Sequence, residues 1–81
     1  MKAGDIAKRR DEETWFVVIP KLHPVRDMYN AVILAHATKP DIVGVPSTVQ
    51  APGAVIEYVP DDQVPERIWA ALAKLKLEGK I

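Results

Sequence analysis

"AVILAHAT", Ala31 to Thr38, is the stretch on which the fold turns. Five apolar residues, Ala31 to Ala35, lead straight into His36 and Thr38, and Lys39-Pro40-Asp41 follow. An apolar run this short, bounded by turn residues, reads as a strand buried on both faces. Working outward, "TWFVVIP" (Thr14–Pro20) is rich in β-branched and aromatic residues and reads as a second central strand. Pro20 ends it, because proline donates nothing to a ladder. "AVIEYVP" (Ala54–Pro60) reads as a third, and "AGDIAKRR" (Ala3–Arg10) as a short opening strand closed by the polar turn "DEE". The stretch "KLHPVRDMYN", Lys21 to Asn30, reads as a loop that exposes Met28 and Tyr29. "IVGVPSTVQAPG" allows short β segments at Ile42–Val45 and Thr48–Gln50, interrupted by Gly44, Pro46 and Pro52.

After Pro60 the period changes. "PERIWAALAKLKLEGK" places Ile68, Ala71/Leu72 and Leu75 on one stripe at helical spacing. Pro65 suits the first turn, Glu66 the positive end, Lys74 and Lys76 the negative end, and Gly79 the stop. Four or five short strands with proline-rich links, followed by one amphipathic helix, predict a mainly β (α+β) domain. The expected form is a small β-barrel with the C-terminal helix over one mouth or face.

The bulk numbers narrow the function. The 81 residues make one domain, residues 1–81, with no room for a large internal cavity, so a site is expected in a surface groove or at a subunit interface. Apolar residues are 48% and charged residues 27%, an ordinary globular balance. Cysteine is absent, which removes disulfides, thiolate metal sites and a cysteine nucleophile. The polar start "MKAGDIAKRRDEET" predicts no signal peptide and no membrane span, and a cytoplasmic protein is the expectation. Net charge is zero, which opposes a general attraction to nucleic acid. Residues 1–40 nevertheless carry seven Lys/Arg against five Asp/Glu, an excess that suits a short RNA, an acidic partner peptide or a plain solvated face.

Candidate chemistry gathers at the strand ends. Thr38 offers a hydroxyl to a phosphate or a developing charge, or simply ends a strand. His36 can act as acid or base, or can be a half-buried residue with one hydrogen bond. Arg9 and Arg10 offer guanidinium forks for phosphate, with Asp11, Glu12 and Glu13 as ready local partners. Lys21, His23, Arg26 and Lys39 are the candidate RNA contacts. Met28, Tyr29 and Trp69 are the candidate partner or dimer contacts. No carboxylate stands at ligand spacing from either histidine, and there is no glycine-rich phosphate loop, so neither metal nor cofactor is expected.

The order of segments resembles the MazF/PemK (Kid) toxins of bacterial toxin–antitoxin pairs, and more distantly the CcdB toxins. Gly4-Asp5-Ile6 stands where that family has its "GD-I/V" strand, "WFVVIP" where it has "P-V-V-V-I", and "AVILAHAT" where it has "V-I-V-A-x-I-T". "AVIEYVPDDQVPERIWAALAKL" follows the family's last strand, link and terminal helix. The resemblance implies an SH3-like barrel, a homodimer and a groove that cuts single-stranded RNA without metal, blocked by an antitoxin peptide. It places Thr38 at the family's active-site threonine. The family arginine precedes the proline of the second strand; here Glu13-Thr14-Trp15 occupy that stretch, leaving Arg9 or Arg10 to supply the role. The implied reaction is attack of a ribose 2′-hydroxyl on the adjacent phosphate, steadied by Thr38 and Arg9 or Arg10, with His36 as acid or base. The alternative is a non-catalytic, CcdB-like protein-binding toxin or interaction module on the same barrel. It would act on DNA gyrase or another host protein through the Lys21–Asn30 loop, the Trp69 side of the helix or the C-terminus.

Overall fold

A computed structural model describes all residues, Met1–Ile81. Five strands are present: β1 (Ile6–Arg9), β2 (Trp15–Val18), β3 (Met28–Ala35), β4 (Pro46–Gln50) and β5 (Ile56–Val59). One helix follows, α1 (Glu66–Leu77), and short 3₁₀ turns occupy Pro40–Ile42 and Asp61–Gln63. All pairings are antiparallel and the sheet order is β4-β3-β2-β1-β5.

Alternation along the strands divides the apolar residues between two cores. Ile6, Trp15, Val17, Val32 and Leu34 face Val59, Val64 and the helix stripe Ile68, Leu72 and Leu75. Ala7, Phe16, Val18, Ala31 and Ile33 face the other way and meet Val49 and Ile56. The single helix covers only the first face. The second is buried because the sheet curls until Val49 of one edge strand and Ile56 of the other enter the same cluster. The mainly β architecture, a small barrel with a C-terminal helix, is therefore observed, and the barrel stays unclosed between β4 and β5. Part of the curl comes from a bulge. Trp15 pairs with Ala35 and Phe16 with Ile33, so Leu34 is the extra residue on β3 and bends it.

The helix is placed by its apolar stripe and by its ends. Arg67 of its first turn donates from Nη2 to Glu13, and its guanidinium lies 5.9 Å from the centre of the Trp15 ring. At the other end Gly79 takes φ +74°. Its N–H donates to the Lys76 carbonyl, and that of Lys80 to the Leu75 carbonyl, a Schellman termination.

Local details depart from the sequence-based expectation. β3 starts at Met28, so Met28-Tyr29-Asn30 are strand rather than loop and are half-buried. It ends at Ala35, so His36 lies beyond the strand. Ile42–Val45 is no strand. Pro40 starts a 3₁₀ turn there, and Gly44 at φ +87° redirects the chain into β4.

Candidate functional site

The end of the barrel that carries Thr38 is built around Thr14. This residue is buried, and its Oγ1 donates to Glu12 Oε1 at 3.1 Å and accepts from the Ala37 N–H at 3.4 Å. The β1–β2 turn and the chain after β3 are thereby held together. His36 acts as a turn acceptor: its Nδ1 receives the N–H groups of Thr38 at 3.2 Å and Lys39 at 3.1 Å. Thr38 is exposed, and its hydroxyl has no hydrogen bond.

Neither candidate arginine reaches Thr38 with a hydrogen bond. Arg9 donates from Nε to Asp11 at 3.3 Å and lies 3.1 Å from Glu12. The hydrogen bond to Asp11 raises Arg9 above its already high value and holds the Asp11 carboxyl below the ordinary carboxylate range. Arg10 faces the opposite side, where Nε donates to the Gly53 carbonyl at 2.7 Å and Nη1 to Glu57 at 3.3 Å. It ties down the β4–β5 loop. Glu13 accepts from Trp15 Nε1 at 3.0 Å and from Arg67, and both bonds hold its carboxyl below the usual range.

A second arrangement forms at the other end. The chain from Ile19 to Met28, with Met1 and Lys2, walls an open groove of about 440 Å³. Its loop is ordered by side chains. Asn30 Nδ2 clamps the carbonyls of Lys21 at 3.1 Å and Leu22 at 3.2 Å. His23 Nδ1 accepts from the Val25 N–H at 3.0 Å, and Asp27 takes φ +62° at the re-entry to β3. The result is a pinned loop that displays apolar side chains: Leu22 is 96% exposed and Val25 56%. Lys2, Lys21 and Arg26 border this groove without an ion pair, against one carboxylate, Asp27.

The structure thus separates the candidates. His36, Thr38 and Lys39 share one turn, Arg9 and Arg10 are turned to local carboxylates, and Lys21, His23 and Arg26 gather at the groove with Met28 and Tyr29. Trp69 is half-buried and lines an adjoining cleft of about 430 Å³, which shares Ile19 and Pro20 with the groove. Sequence reasoning did not single out Leu22 and Val25. The signal for them was two apolar residues beside the turn formers His23 and Pro24, where no strand or helix period would bury them. No cluster of three or more His, Cys, Asp or Glu side chains converges in the chain, and no helix is long and apolar enough to cross a membrane. No family model matches the chain, and neither the curated proteins nor the solved structures searched contain a match.

Proposed function

We propose that this protein is a non-catalytic, protein-binding barrel of the CcdB-like kind, and that it engages its partner through the Lys21–Tyr29 groove. One observation carries this reading: an ordered loop holds Leu22 and Val25 in solvent beside three cations without ion pairs. A pinned apolar tip loses little entropy on binding, and large exposed apolar groups on a small domain mark contact surfaces. The unpaired cations favour an acidic partner segment and speed its encounter.

The ribonuclease reading keeps one supporting observation, the free Thr38 hydroxyl in the exposed turn after β3, beside Lys39. It lacks a second group for the phosphate, since Arg9 and Arg10 are both bonded within the chain.

One experiment separates the two. Wild type, Thr38→Ala and a Lys21→Glu/Arg26→Glu variant are incubated with single-stranded RNA in chelator. The same samples are titrated against a fluorescent amphipathic peptide of glutamate and leucine. The proposal expects intact RNA throughout, and peptide binding at least tenfold weaker in the charge-reversal variant alone. RNA cleavage that disappears in Thr38→Ala would overturn it in favour of the enzyme. So would peptide binding indifferent to the charge reversal.

A further inference from the structure

The barrel has one gap, and its two lips can be described atom by atom. β4 and β5 are both edges of the sheet, and no backbone hydrogen bond joins them. On either side of β4 the Val45 carbonyl accepts from the Ile33 N–H and the Ala51 N–H donates to the Asp27 carbonyl. Ser47 and Val49 lie between these in register with Ala31 and Tyr29. Bonded pairs in an antiparallel ladder recur at every second residue. Thr48 and Gln50 therefore turn their N–H and C=O groups outward. Just before β5 the Arg10 N–H donates to the Val55 carbonyl, which by the same rule turns Ile56 and Tyr58 outward, and the Ile56 carbonyl there accepts from the Gly53 N–H.

Natural edge strands are blunted by charge, proline or bulges. Pro46 blunts the first position of β4, and Ser47-Thr48-Val49-Gln50 follow with neither a charge nor a register shift. Between the lips lies a cavity of about 390 Å³, with Phe16, Met28, Val49, Val55 and Ile56 among its walls. Arg9 is its one charged residue, and Asp11 and Glu12 already flank that guanidinium. Neither Nη nitrogen of Arg9 donates a hydrogen bond.

We propose that this gap receives an extended, uncharged segment of a partner protein, which adds to β4 through Thr48 and Gln50 and seats one apolar side chain in the cavity. The register follows from the ladder. The residue opposite Val49 sits between two bonded rungs, in a close, non-bonded pair, and shares the inward face of Val49. The charge follows from the lining. Asp11 and Glu12 already neutralise the Arg9 guanidinium, so the cavity holds no unpaired charge to draw an acidic or a basic segment, while the free Nη groups suit a carbonyl or hydroxyl oxygen. This site shares Met28 with the Lys21–Tyr29 groove but differs from it in charge, since the unpaired cations of that groove select for acid.

The test uses a displayed library of random decapeptides on the whole protein, followed by amide hydrogen exchange with one enriched peptide made synthetically. The expected sequences are uncharged and apolar at alternate positions. The peptide should slow exchange at Thr48 and Gln50 at least tenfold, and change Val49, whose N–H the ladder assigns to β3, less than twofold. Thr48→Pro removes an N–H that the native ladder does not use, and should weaken binding at least tenfold. If that variant fails to fold, the exchange footprint on the wild type decides. The proposal is overturned if no peptide is enriched. It is equally overturned by acidic peptides that protect the Lys21–Tyr29 segment instead. Protection of Thr48 and Gln50 that rises with protein concentration and needs no peptide also overturns it, since a second copy then fills the edge.

Discussion

Leu22 and Leu34 are the same side chain in opposite circumstances, and truncating each to alanine gives a paired test. Leu34 is 1% exposed, sits at the β3 bulge and packs in the core beneath α1. Its loss removes buried methyl groups and leaves a cavity, at a cost of about 3 kcal/mol. A domain of this length holds roughly 4–12 kcal/mol in all. The midpoint of thermal unfolding should therefore fall by about 12–24 °C. Leu22 is 96% exposed, so its truncation should change stability by less than about 0.5 kcal/mol. If the groove binds a partner, Leu22 is buried only in the complex, and alanine there should weaken binding roughly ten- to a hundredfold. Thermal and urea unfolding followed by circular dichroism measure the first pair of values, and the anisotropy titration measures the last. A Leu22→Ala variant destabilised by more than about 1 kcal/mol would refute the description of Leu22 as a displayed side chain. Unchanged peptide affinity in that variant would refute the groove.

Further expectations concern single contacts. Glu13 titrates below its ordinary value of 4.5 because Trp15 and Arg67 bond to its charged form. Its contribution is present above that value in the folded chain and is lost as the pH falls through the lower folded value, so Glu13→Gln should flatten the acid limb of a stability–pH curve. Gly44→Ala should destabilise by about 1–3 kcal/mol in urea unfolding, because φ is positive and the new methyl would stand 2.9 Å from Leu75 Cδ2. Gly4→Ala, with open space at a positive φ, should cost less in the same assay. Thr14→Val should expose the end of β3, speeding amide exchange at Ala37 at least tenfold, because the buried hydroxyl is that group's acceptor.

The strands that carry the cores were legible because their apolar residues are dense and their boundaries are prolines and charges, as in "WFVVIP" and "AVILAHA". The helix was legible from Ile68, Leu72 and Leu75, and its stop from Gly79. What escaped the sequence depends on partners distant along the chain. Met28 and Tyr29 become strand because β4 pairs with them, and of β4 only Thr48–Gln50 was legible as a β segment, without its partner. His36 falls outside the ladder because β2 begins only at Trp15, which pairs with Ala35, and alternation along one strand cannot foresee where its partner starts. The arginines were correctly seen to have acidic neighbours, but the tie from Arg10 to Gly53 and Glu57 crosses from β1 to the β4–β5 loop. The groove escaped because its order comes from Asn30 and His23, side chains that clamp backbone rather than bury.

The sheet order has a kinetic side. β1, β2, β3 and β4 follow one another as neighbours, so they can assemble from nearby contacts, whereas the outer edge of β1 must wait for β5, which arrives from the far end of the chain. Closing so long a loop is entropically costly and gains nothing until Ile56 and Val59 reach their clusters. Docking of β5 is thus the natural late event in folding, and until it happens β1 is itself an open edge. Of the two lips that the finished barrel leaves unpaired, one is the strand that the growing structure is slowest to put in place.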